Sequence, residues 1–138
     1  MAKELEVVRA SGVPDDEVQA AVSRVMRANI HLNVSRNVEQ IRVGDVITLR
    51  IQAIRIGGAV LVTMPVEPFA ELGAQIKERS VAANTVFSGF SNGHYAYLPT
   101  TTAYEEGGYE VRATPFAPGS EQLAVDACLE AIERVCQA

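Results

Sequence analysis

The sequence predicts an α/β domain, with α+β left open, built on a mixed sheet of about five strands with three main helices. Three observations carry that expectation. Apolar residues repeat at helical spacing near both ends of the chain. Between them, runs around 46–64, 84–90 and 94–98 alternate or stay apolar as strands do. Glycine, proline and asparagine punctuate the joins at Gly57-Gly58, Pro65, Pro68, Asn92-Gly93 and Pro118-Gly119.

The first element is a helix over 13–30, where Val18, Ala21, Val22, Val25 and Met26 share one face. Asp15 or Asp16 can cap it, and Glu17 suits the positive end of the helix dipole. Leu32 and Val34 then alternate with polar neighbours as a short strand would, and Gly44-Asp45 reads as a turn. "VITLRIQAIRIG" puts Ile47, Leu49, Ile51 and Ala53 on one face of a strand, and Gly57-Gly58 supplies a two-residue hairpin turn. "AVLVTMP" is apolar on both faces and reads as a central, buried strand. Pro68 is a suitable first residue for a helix to Arg79 that buries Phe69, Leu72 and Ile76. A strand follows at "NTVFSGF", and Asn92-Gly93 predicts a hairpin into "HYAYLP". Ser120 caps the last helix, in which Leu123, Ala127, Ile132 and Val135 form an apolar stripe.

At 138 residues the chain is long enough for a single domain over 1–138, with 1–45 a helical and strand lead-in. Its 48% hydrophobic and 21% charged content is that of a folded globular protein. A net charge of −5 without any run of Lys or Arg argues against nucleic acid as a partner. No apolar run approaches the ~18 residues of a membrane helix, and "MAKELEVVRA" has no signal core. A soluble, cytoplasmic chain is expected. Cys128 and Cys136 fall in one helix, about 12 Å apart at 1.5 Å per residue. That separation excludes a disulfide and leaves two small apolar side chains.

Chemistry-bearing residues cluster in two places. Glu67 stands between a buried strand and a helix, where carboxyl ends of strands gather ligands; it would serve there as a helix cap or as a ligand. All four tyrosines, Tyr95, Tyr97, Tyr104 and Tyr109, lie within "SNGHYAYLPTTTAYEEGGYE". In a strand over 94–98, Tyr95 and Tyr97 share a face, as packing rings or as donors. "YEEGGYE" is an acidic, glycine-containing loop without phosphate-loop spacing. HExxH, GxSxG and Cys/His clusters are absent from the sequence, so motif alone assembles no complete catalytic centre.

"GGAVLVTMPVEPFAELGAQIKERS", "NGHYAYLPTTTAYEEGGYE" and "FAPGSEQLAVDACLEAI" together resemble the C-terminal part of the neutral/alkaline ceramidase family, over roughly residues 46–137. These are zinc amidases that cleave N-acylsphingosine. The resemblance implies zinc held by two histidines, a glutamate and a tyrosine. Carried onto this chain, the glutamate is Glu67, in "MPVEPF", with Val66 where the family usually has glycine. The tyrosine ligand is Tyr97, five residues after Asn92. The second tyrosine, which contacts the reacting amide, is Tyr109, before Glu110. Zinc would lower the pKa of a water toward neutrality and favour a phenolate at Tyr97. Tyr109 would donate to the developing oxyanion.

The family's zinc histidines lie in a long N-terminal region, whereas this chain has only His31 and His94. The resemblance therefore implies a C-terminal part of a zinc-dependent amide hydrolase acting in lipid metabolism. It contributes half of a metal site, is completed by an N-terminal portion, acts on a lipid amide, and is inactive alone. The alternative is a non-catalytic stand-alone domain that binds a partner or itself as a homo-oligomer, its tyrosines serving as interface anchors.

Overall fold

A computed structural model describes residues 14–38 and 44–137. The chain divides into two compact units, with the boundary between Gln40 and Ile41.

The first unit holds helix α1 (Asp15–Val38). Three acidic residues, Asp15, Asp16 and Glu17, occupy its first turn, where the helix dipole favours negative charge. The helix runs eight residues past the expected end, so Leu32 and Val34 lie in helix and not in a strand. No glycine or proline stands between Asp15 and Val38 to stop it, and a short alternation does not outweigh continued helix formation.

The second unit comprises β1 (Gln52–Ile56), β2 (Ala59–Thr63), β3 (Glu67–Pro68), α2 (Ala70–Arg79), β4 (Asn84–Ser88), β5 (Tyr97–Leu98), α3 (Thr101–Glu106), α4 (Tyr109–Arg112) and α5 (Ser120–Gln137). The mixed α/β class expected from sequence is the one observed. The three longest helices, α1, α2 and α5, lie where periodicity puts them. The segment read as an acidic loop instead folds into the short helices α3 and α4.

β1 and β2 pair antiparallel from Gln52↔Thr63 to Ile56↔Ala59. Gly57 alone of the two turn glycines takes positive φ (+58°), the pattern of a type II′ hairpin turn. β1 is shorter than expected, since residues 46–51 form no strand. β2 is the central strand, with β4 parallel on its other side. The connection from β2 to β4 passes through α2, as parallel strands require. Pro68 closes β3 and the helix starts at Ala70, so the expected helix start is moved by two residues. Pro68 has no N–H to donate but its carbonyl side remains usable, which suits it to the end of a short edge strand.

Asn92-Gly93 does not make the expected hairpin. β4 and β5 never pair with each other; they pair in parallel with β2 and with β3. Asn92 (φ +64°), Gly93 (φ +148°) and Ala96 (φ +65°) all take positive φ. The chain thus leaves one side of the β2–β3 strand and returns along the other. Only Tyr97 and Leu98 of "HYAYLP" form strand, and the turn at Ala96 breaks the alternation that would pair Tyr95 with Tyr97 on one face.

Residues 59–69 keep alternate hydrogen bonding on either side through a bend at Pro65 and Val66. Met64 N–H donates to the Ser88 carbonyl (3.1 Å), and Phe90 N–H to that of Val66 (2.8 Å), on the β4 side. Tyr95 N–H donates to Pro65 (2.9 Å), Glu67 N–H to Ala96 (2.9 Å) and Phe69 N–H to Leu98 (3.2 Å) on the other. This alternation turns Val60, Val62, Met64 and Val66 to one face, where they pack with Leu72 and Ile76 of α2, Leu98, and Val125, Cys128 and Ile132 of α5. Each fully buried large side chain contributes about 1.5–3 kcal/mol. On the opposite face Ile54, Leu61 and Val86 stand in one register row, and Ile54 and Val86 are each more than half exposed.

Candidate functional site

The register of the small sheet sets the site. Glu67 and Tyr97 are direct partners across β3 and β5, so their side chains rise on the same face. Glu67 reaches that place because the buried strand delivers the chain to the protein surface just there. Tyr109 opens α4, and its ring meets that of Tyr97 edge-on, with centroids 5.7 Å apart and planes at 82°. Such T-shaped pairs are a favoured aromatic geometry. The three residues singled out from the sequence, spread from 67 to 109, therefore meet around one phenol. All three are half-buried.

The Tyr97 phenol is held above its ordinary value of 10.0. Burial is the main cause, followed by the Glu67 carboxylate beside it, which acts both as a charge and as a hydrogen-bond acceptor; Tyr109 and Glu110 add to the effect. Every one of these neighbours disfavours the phenolate. Without a cation, Tyr97 keeps its proton at neutral pH. A cation between Glu67 and Tyr97 reverses the balance, since it favours both oxyanions.

One carboxylate and one phenol side by side fit two positions of a tetrahedral shell. Of the two histidines, His94 stacks on Phe90 at 5.3 Å, and His31 belongs to α1 in the first unit. Among the described residues, no three His, Cys, Asp or Glu side chains converge to hold a metal ion. Glu67 and Tyr97 thus offer two oxygen donors on one sheet face.

The loop between Tyr97 and α5 is tied down by side chains that periodicity does not flag. Thr100 caps α3, accepting from Ala103 N–H. Thr114 Oγ1 donates to the Tyr97 carbonyl (2.7 Å) and accepts from Phe116 N–H (3.1 Å). Tyr104 donates to the Phe116 carbonyl (2.7 Å). Glu121 reaches across from α5 to accept from Thr101 N–H (2.7 Å) and Thr101 Oγ1 (2.5 Å). Tyr95, by contrast, is 40% exposed and anchors nothing in this network. Thr114 and Glu110 are the members that sequence reading missed as site residues. Glu110 carried a signal, its place next to Tyr109; Thr114 carried none.

Two solved structures are similar to this chain. One is a neutral ceramidase from Pseudomonas aeruginosa; the other is a ceramidase complexed with C2. Each shares 29% identity, covers 61% of this chain and has a TM-score of 0.49. The chain spans 15% of the length of either. No protein-family profile matches the chain, and no curated protein does.

Proposed function

We propose that this chain supplies the Glu67–Tyr97–Tyr109 half of a zinc-dependent amide hydrolase site of the neutral ceramidase kind, with an N-acyl lipid amide as substrate. The observation that carries the reading is the meeting of these three side chains around the Tyr97 phenol. Sequence resemblance alone names these three residues, and chance gives little reason for all three to converge.

Glu67 and Tyr97 present two oxygen donors on one sheet face. Zinc bound there would act as a Lewis acid toward water or the amide carbonyl. Tyr109 holds its phenol against Tyr97, where its O–H donates to a carbonyl oxygen gathering negative charge. Glu110 adds negative charge near the same point and strengthens the site's attraction for a cation. The imidazole donors come from an N-terminal portion of the larger hydrolase, and that portion builds most of the lipid pocket.

The test is zinc titration and amidase assay of the 138-residue chain. Weak zinc binding, abolished by Glu67→Gln or Tyr97→Phe, with no amide turnover, is the expected result, because two oxygen donors without imidazole make a poor zinc site. Stoichiometric zinc after dialysis, or amidase turnover by the chain alone, contradicts it.

One observation favours a second reading, a non-catalytic domain that associates with a partner or itself: the apolar row Ile54–Leu61–Val86 lies open on the outer sheet face. Sedimentation separates the two. A stable oligomer that is indifferent to zinc and to Glu67→Gln favours association; a zinc response lost in Glu67→Gln favours the half-site.

A further inference from the structure

We propose that Thr114 is a positioning residue for this site: its hydroxyl ties the Tyr97 carbonyl to the Phe116 amide and so holds the Tyr97 and Tyr109 rings together. Among the described residues, β5 pairs along one edge. The Ala96 and Leu98 carbonyls accept from Glu67 and Phe69 N–H of the neighbouring chain. The Tyr97 carbonyl points the other way, as alternation requires, toward an edge where no strand of the described residues lies. Thr114 Oγ1 takes that place, donating to Tyr97 O at 2.7 Å. A hydroxyl has one proton to give but two lone pairs, and one of them accepts from Phe116 N–H at 3.1 Å.

The tie acts close to both rings. Tyr97 is itself one end of it. At the other end, α4 closes at Ala113, whose N–H donates to the Tyr109 carbonyl (3.0 Å) and that of Glu110 (3.2 Å), one residue before Thr114. Tyr104 then fixes the Phe116 carbonyl from α3 (2.7 Å). The Thr114 hydroxyl thereby links the segment that follows the helix bearing Tyr109 to the strand bearing Tyr97. α4 has only four residues, too few to hold its own place by helix formation. The role of Thr114 in metal binding rests on the half-site reading; its role in ring placement does not.

Thr114→Val and Thr114→Ser in the full chain provide the test. Valine keeps the shape and removes both hydrogen bonds, while serine keeps both. Nuclear Overhauser contacts between the Tyr97 and Tyr109 rings read the geometry directly, and zinc affinity reads its consequence. Thr114→Val is expected to lose the ring-to-ring contacts and to weaken zinc binding about 10- to 100-fold, the usual effect of removing an outer-shell support. Thr114→Ser restores both. Intact ring contacts in a folded Thr114→Val overturn the proposal. If Thr114→Val does not fold, Tyr104→Phe decides, because the Tyr104 hydroxyl bonds both the Phe116 carbonyl and the Thr114 side chain: weakened contacts support the proposal and unchanged contacts overturn it. Wild-type protein that shows the ring contacts but no response to zinc refutes the half-site and leaves the placement role standing.

Discussion

Gly89→Ala strikes the strand that delivers Glu67. Gly89 lies just past β4, alongside Val66 and Pro68. A methyl group built there meets Pro68 Cδ at 2.7 Å, the Val66 carbonyl oxygen at 3.0 Å and Pro68 Cγ at 3.3 Å. Carbon atoms prefer separations of about 3.5–4.0 Å, so the overlap with Cδ approaches 1 Å. The proline ring cannot rotate away, and the Val66 carbonyl is held by Phe90 N–H at 2.8 Å. Overpacking of this kind costs about 1–3 kcal/mol. Replacing glycine also restricts the unfolded chain, a gain of about 0.4–1 kcal/mol. The net expectation is destabilisation by about 1–2 kcal/mol, read as a lower urea midpoint at unchanged m-value. Movement of Pro68 draws Glu67 away from Tyr97, and the Tyr97 phenol relaxes toward its ordinary ionisation. A Gly89→Ala protein as stable as wild type, with Tyr97 titrating as before, would refute the close-packed strand.

Three further outcomes are expected. Ile132→Ala, at a fully buried position of α5, should cost about 2–5 kcal/mol in chemical denaturation. The Cys128 thiol is pushed up to about 12 by burial, so native protein exposed to a thiol reagent should label at Cys136 first, as peptide mass spectrometry reads; equal labelling would contradict the buried assignment. Burial opposes ionisation of Glu121, but hydrogen bonds from the Thr101 side chain and from the backbone of Glu121, Thr101 and Gly119 outweigh it and hold the carboxyl below 4.5. Its contribution is therefore present above that value and lost as pH falls through the lower, folded one. Glu121→Gln should lower stability at neutral pH and flatten the acid limb of the stability–pH curve.

Sequence reading reached the fold where period and burial agree. Val60 and Val62 lie in the apolar run read as a buried central strand, and Ile132 in the apolar stripe of α5, so both elements were legible; yet Leu123 of that stripe is 75% exposed, and Ala124, Val125 and Cys128 bury the helix instead. It failed where a few residues of unusual backbone decide the path. Asn92-Gly93 has hairpin composition, yet positive φ at Asn92, Gly93 and Ala96 sends the chain to the far side of β3. That parallel pairing is a tertiary choice, fixed by hydrogen bonds to Pro65 and Glu67 that no local pattern encodes. The same choice places Glu67 opposite Tyr97. Resemblance could therefore name both residues, but only the register explains why they meet. Thr114 was invisible because its role comes from a carbonyl left over at a strand edge.

Ionisation of Tyr97, followed by tyrosinate absorbance with Tyr97→Phe as the blank, most directly tests whether Glu67 and Tyr97 share a cation. Without metal, Tyr97 should titrate above 10.0, and saturating zinc should move it well below. A Tyr97 that titrates at the same pH with and without zinc would contradict the half-site.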